Sequence, residues 1–205
     1  MLASPRRAGP TTAWRRRLDI DADGFVDVAR QTPSPNHDAR PPGGDLSLIV
    51  IHGISLPPGK FGGDAIERLF TNCLDPAEHP YFAHVAALRL SSHFLIRRDG
   101  ALVQFVSCAE RAWHAGESSW RGRTRCNDFS IGIELEGTDV RPYTARQYRT
   151  LARLVRALCV RYGIRSIAGH SDIAPGRKTD PGPGFDWARL QALAGPVATR
   201  SGIEV

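Results

Sequence analysis

The chain has too few cysteines, set too far apart, to be a disulfide scaffold. Cys73, Cys108, Cys126 and Cys159 follow one another at spacings of 35, 18 and 33 in 205 residues, so there is no CxxC pair and none of the density of a small secreted framework. They read as free thiols of a reducing compartment. Long apolar runs are missing too. Nothing approaches the roughly 18 to 20 residues of a membrane helix, and no apolar segment follows the early arginines as a secretory signal requires. The expectation is a cytoplasmic protein with no membrane partner. Lysine is nearly absent: of 27 basic residues, only Lys60 and Lys178 are lysines. Internal repeats and an HExxH zinc signature are absent as well.

Acidic residues are missing from one stretch in particular. Residues 1–17 hold five arginines (Arg6, Arg7, Arg15, Arg16, Arg17) and no Asp or Glu, so the net charge of +6 leaves only +1 for the remaining body. A nucleic-acid-binding domain carries its excess on a folded face, whereas here it sits on a Pro/Gly/Ala-containing arm, which argues against a nucleic-acid partner. The rest is ordinary globular composition, 41% hydrophobic and 23% charged, enough for one core. The chain divides into a flexible arm over 1–22, one folded domain over 23–195 and a tail over 196–205.

Within the domain, 31–44 is a Pro/Gly-rich loop. Leu46 to Ile51 is a β-branched run of the kind found in buried strands, and it puts His52 at its C-terminal end. Asp64 is placed to cap a helix carrying Ile66, Leu69 and Phe70. Residues 92–106 read as two strands around the Asp99-Gly100 turn. Ser130 to Gly137 alternates, with Ile131, Ile133 and Leu135 on one face and Gly132, Glu134 and Glu136 on the other. Thr144 and Gln147 form a capping box for a helix whose stripe runs from Tyr148 to Tyr162 and stops at Gly163. A short strand, Ser166 to Gly169, precedes His170, and Asp186 to Ala194 is a final small helix. The fold class is α/β, a single mixed central sheet of about five strands flanked by helices.

Three metal-ligand types stand where strands give way to loops: His52, His170 and Asp180. Two imidazoles and a carboxylate leave a fourth position on Zn²⁺ open for a reacting water. Each also fits a hydrogen-bonded histidine or a turn carboxylate, so spacing alone leaves both readings open. His170-Ser171-Asp172 matches the start of a non-haem iron triad, but no later histidine exists to complete it. Glu134 and Glu136 share a strand face and either can serve as general base or belong to a solvated face. Lys178 is a lysine in an arginine-dominated chain, two residues before Asp180, where a compact ammonium suits a developing oxyanion. Trp113 and His114 suit sugar or peptide contact, or burial.

Taken together, the strings LIVIHGISLPPGKFGG, HPYFAH, SSHFLIRRDG, RAWHAG, RCNDFSIGIELEGTD, GHSDIAPGRKTDPGP and FDW resemble a known family. In order and spacing they are similar to the zinc N-acetylmuramoyl-L-alanine amidases of the phage-lysozyme and peptidoglycan-recognition fold. The likeness runs from about Pro33 to Leu193 and is greatest to the cytoplasmic AmpD-type amidases that act on 1,6-anhydro-muramoyl peptides in cell-wall recycling. The resemblance implies one zinc per chain on His52, His170 and Asp180, and it selects Glu134 over Glu136 as the catalytic carboxylate. It makes Lys178 the cation beside the scissile carbonyl, and Arg89, Trp113 and His114 substrate contacts. It implies a monomer whose partner is a small peptidoglycan fragment. An aspartate at the third ligand position agrees with the cytoplasmic branch, since active peptidoglycan-recognition relatives usually carry cysteine there. The pattern departs at Gly53, where the family often has Asn, and the arginine-rich arm has no counterpart. The alternative function is a peptidoglycan-fragment recognition protein that binds without cutting.

Overall fold

A computed structural model describes residues 18–196. In chain order it contains β1 (Arg30–Gln31), β2 (His37–Ala39), β3 (Leu48–Ile54), α1 (Ala65–Phe70), α2 (Phe82–Val85), β4 (Phe94–Ile96), β5 (Leu102–Gln104) and β6 (Glu110–Ala112). There follow β7 (Ser119–Trp120), β8 (Arg123–Thr124), β9 (Ser130–Glu136), α3 (Ala145–Tyr162), β10 (Ser166–Gly169), α4 (His170–Ile173) and α5 (Trp187–Ala194). The central sheet has six strands in the order β1-β5-β4-β9-β3-β10, one more than expected. Its middle is parallel: β3 pairs with both β9 and β10, and β9 with β4. The β4–β5 hairpin is antiparallel, as its Asp-Gly turn requires.

Alternation sends successive side chains of β3 and β9 to opposite faces. Ile49, Ile51, Ile131, Ile133 and Leu135 pack under α3, against Tyr148, Leu151, Val155 and Leu158. The opposite face of β3 carries Leu48 and Val50, which pack with Cys126, Phe129 and Ile173, and then His52. On β9 that same face carries Ser130, Gly132, Glu134 and Glu136. It is not solvated: Glu134 is 8% and Glu136 2% exposed. The parallel register sets His52 beside Glu134 and ends β10 at Gly169 beside Ile51, so His170 enters at the same carboxyl edge. Ligand crevices of parallel sheets lie at that edge.

Three expectations need correction. The arm ends before residue 22, because Leu18 and Ile20 are buried with Val26 in the α3 core and Ile20 bridges to Val26. Residues 1–17, and with them the five arginines, lie outside the described residues, as does 197–205 of the tail. The Pro/Gly-rich stretch 31–44 contributes to two short strands, β1 beside β5 and β2 beside β6. Strands of two and three residues are too short to show a period. Asp64 precedes α1 but makes no cap hydrogen bond; its carboxylate pairs with Arg68 at 3.2 Å instead. Among the described residues, no helix is long and apolar enough to cross a membrane.

Candidate active site

His52 lies two residues before the end of β3, His170 opens α4, and Asp180 arrives on the loop that follows α4; the three meet at the carboxyl edge of the sheet. Their ligand atoms all lie within 4.8 Å of one another. His52 Nδ1 is 2.9 Å from His170 Nδ1, and Asp180 Oδ2 is 3.3 Å from the first and 3.2 Å from the second. Two imidazole nitrogens converging on one carboxylate oxygen suit a borderline cation such as zinc, with a coordination position to spare. Burial pushes His52 down to about 4, although Asp180 pulls the other way. For Asp180 the order reverses: burial raises its pKa, but its contacts with the His170 and His52 rings win and hold it below the usual carboxylate range. The site thus holds its carboxylate ionised and His52 neutral, the forms a metal requires.

Glu134 reaches the same space from β9. Its Oε2 is buried and has no hydrogen-bond partner. Burial first, then the charge of Asp180, raises its pKa well above the ordinary value, while Lys178 opposes the shift. Glu136, two residues on, is fully engaged. It accepts from Gly62 N–H at 2.6 Å and Arg98 N–H at 3.1 Å and pairs with Arg97 at 3.3 Å. One glutamate braces the 55–63 loop; the other has an unused oxygen beside the metal-ligand cluster. That cluster and Glu134 line a cleft of about 570 Å³.

The profile of N-acetylmuramoyl-L-alanine amidase matches residues 42–183. The chain belongs to this amidase family. The amidase is 58% identical over 176 residues to the 1,6-anhydro-N-acetylmuramyl-L-alanine amidase AmpD of Citrobacter freundii, covering 85% of this chain and 94% of that protein. A crystal structure of a selenomethionine derivative of AmpD superposes with a TM-score of 0.82 at 57% identity, over 86% of this chain and 99% of that one. A solved complex of the Escherichia coli amidase AmiD with anhydro-N-acetylmuramic acid-L-Ala-D-gamma-Glu-L-Lys is more distant. It shows a TM-score of 0.54 at 28% identity, over 86% of this chain and 65% of that one.

The amidase places the remaining predicted residues unevenly. Lys178 is exposed and lines the cleft, close enough for its charge to act on His52 and Glu134. Trp113 forms part of the cleft wall. Arg89 does not line the cleft; it is exposed, and its guanidinium bonds to the carbonyls of Ala86, Ala87 and Leu88. His114 borders the cleft but is only 9% exposed, and both its ring nitrogens are engaged by protein, at His52 Nε2 and Ser130 Oγ. Gly53 is explained by Tyr143: a side chain there would collide with the Tyr143 hydroxyl, which donates to the Pro181 carbonyl at 3.1 Å. Sequence reasoning did not single out His93 or Arg40, which lie behind the site. His93 Nδ1 accepts from Gly132 N–H at 3.0 Å, and half-buried Arg40 donates to Cys108, Asn127, Asp128 and Ser130 carbonyls.

Proposed function

We propose that this amidase hydrolyses the amide between the lactyl group of (1,6-anhydro)-N-acetylmuramic acid and L-Ala of a peptidoglycan stem peptide, with zinc on His52, His170 and Asp180. The observation that carries the reading is the His/His/Asp cluster with the unpartnered Glu134 oxygen beside it. The names of the relatives support the substrate, and the near-neutral body of the chain fits a small fragment better than a polymer of nucleotides. When bound, zinc supplies a Lewis acid and lowers the pKa of water toward about 7.

Glu134 takes the proton of the attacking water on its free Oε2. Its raised pKa makes it a stronger proton acceptor than an ordinary carboxylate, and the same oxygen returns the proton to the leaving amine of L-Ala. Lys178 stands at the rim as a point charge for the oxyanion of the tetrahedral intermediate. Trp113 offers a flat wall for sugar or peptide.

The test is direct. Zinc-loaded enzyme incubated with anhydro-muramoyl tripeptide is expected to release the free tripeptide, read by mass spectrometry, and His170→Ala is expected to lose both zinc and turnover. Intact substrate at full zinc occupancy, with binding retained, would instead establish a recognition protein.

A further inference from the structure

The two imidazoles of the metal cluster are held from behind by consecutive residues of one loop. His52 Nε2 lies 3.0 Å from His114 Nδ1, and His170 Nε2 lies 3.2 Å from the Ala115 carbonyl oxygen. The amides of that same step, His114 N–H and Ala115 N–H, both donate to Asn127 Oδ1, at 3.2 and 2.8 Å. A shift of this one loop therefore turns both rings.

Proton positions on the His114 side follow from the far end of the chain of hydrogen bonds. The Cys126 carbonyl only accepts, so Ser130 Oγ, 2.5 Å away, gives its single proton there. Ser130 Oγ must then accept from His114 Nε2, 3.2 Å away. An imidazolium at His114 would need a buried counter-charge, and its ring partners are an imidazole and a hydroxyl. A neutral ring protonated at Nε2 has its lone pair at Nδ1, so it accepts from His52 Nε2–H. His52 is left with its lone pair on Nδ1, the atom facing His170 and Asp180. For His170 the Ala115 carbonyl, which only accepts, takes the proton of Nε2; Nδ1 then turns its lone pair to the cluster, and the Asp180 carboxylate 3.2 Å from Nδ1 is the acceptor that competes for that proton. The His114 ring has room because residue 132 is glycine; a Cβ there would fall 2.5 to 2.7 Å from the imidazole.

We propose that the His114–Ala115 step, backed by Ser130 and Asn127, is a positioning device that fixes both histidine ligands in the Nε2–H tautomer and so sets metal affinity. The proposal rests on His52, His170 and Asp180 being the zinc ligands. It moves His114 from substrate contact to positioning residue. Groups that orient a ligand histidine through its other nitrogen typically control affinity about 10- to 100-fold.

The experiment uses the full chain with ¹⁵N-labelled imidazoles, stripped of zinc, at about pH 8.5, where an ordinary imidazole is neutral. Long-range ¹H–¹⁵N correlations are expected to show Nε2–H at His52, His114 and His170, with a coupling across the hydrogen bond from His52 to His114. His114→Phe keeps ring volume and removes the acceptor. In that variant His52 is expected to populate both tautomers while His170 keeps Nε2–H, and zinc affinity, measured against a chromophoric chelator, is expected to fall about 10- to 100-fold. Ser130→Ala deletes one hydroxyl and is expected to move both readouts in the same direction; it carries the test if the first variant does not fold. A wild-type His52 protonated at Nδ1, or an unchanged His52 tautomer and zinc affinity in Ser130→Ala, overturns the proposal. Expected tautomers in a wild type with no affinity for zinc would overturn the metal assignment alone.

Discussion

Two glutamates on one strand face differ in what each oxygen touches, and the proposed division of roles rests on that difference. Glu134 has a buried oxygen with no partner; Glu136 braces Gly62, Arg97 and Arg98. Glu134→Gln is expected to keep zinc and thermal stability and to lose about 10²-fold or more in kcat, as loss of a general base does. Glu136→Gln is expected to stay within about tenfold in kcat by the same comparison. It is also expected to lose roughly 1 to 3 kcal/mol of stability, because it weakens a buried carboxylate's charged hydrogen bonds. Steady-state kinetics and urea titration of both variants check the crossing; the reverse pattern would exchange the two roles. Alternation along Ser130 to Gly137 makes the shared face legible from the sequence. What alternation cannot say is which carboxylate meets the Gly62 amide, because that partner lies 74 residues away. The family resemblance supplies that choice. Gly53 is legible only as a departure, since the Tyr143 hydroxyl that fills its place arrives from the loop before α3.

Among the elements, α3 is the most readable and carries a function its cap does not advertise. Thr144 accepts from Gln147 N–H at 3.1 Å, and Gln147 Oε1 accepts from Thr144 N–H at 2.9 Å, the reciprocal box read from sequence. Gln147 Nε2 also donates to the carbonyls of Ile96 and Glu136, at 3.2 and 2.9 Å. The helix start is thereby stitched to the carboxyl ends of β4 and β9, next to the residues that build the site. Thr144→Ala removes the cap oxygen and is expected to cost about 1 kcal/mol. Gln147→Ala removes its half of the box and leaves buried carbonyls without donors, so it is expected to cost roughly 2 to 3 kcal/mol or more. For a domain of this size that separates the two melting temperatures by several degrees, about 2 to 4 °C per kcal/mol, measurable by thermal denaturation. Equal shifts would mean that the strand contacts contribute nothing. Long periodic elements such as α3 and β9 announce themselves because burial imposes a repeat. β1 and β2 do not, because two or three residues cannot show one, and their pairing with β5 and β6 is decided by neighbours far along the chain.

At the scale of the whole molecule, parallel strands bring their carboxyl ends to one edge, where His52 and His170 meet, and His114 and then His93 follow behind them in ring contact; all four are buried, four of the chain's seven histidines. Burial holds His52 down to about 4 and His93 and His114 well below the ordinary value. His93 has a structural reason to remain neutral. Gly132 N–H donates to its Nδ1, its Nε2–H donates to the Glu110 carbonyl, and Arg40 lies 3.0 Å from that same Nε2. A second proton would break the Gly132 bond and set two cations in contact, since Arg40, lowered only to about 10 by burial, stays charged at neutral pH. The unfolded chain protonates these rings near pH 6.5 and the folded chain does so only lower. The unfolded state therefore binds more protons as pH falls through about 6.5, and stability falls with it; above about pH 7.5 it is flat. Each such histidine contributes a slope of up to about 1.4 kcal/mol per pH unit, so three give about 4 at most. Asp180, with its pKa lowered in the fold, loses its contribution only below the ordinary carboxylate range, outside this window. Urea midpoints of the chelator-treated protein between about pH 8 and pH 5 are expected to hold steady and then drop steeply below about 6.5. His93→Asn, whose Oδ1 can still accept from Gly132 N–H, is expected to be less stable at pH 8 and to fall more gently. Urea midpoints that stay level down to pH 5, or a His93→Asn variant as steep as wild type, would show that the buried imidazoles do not set the acid limit of the fold.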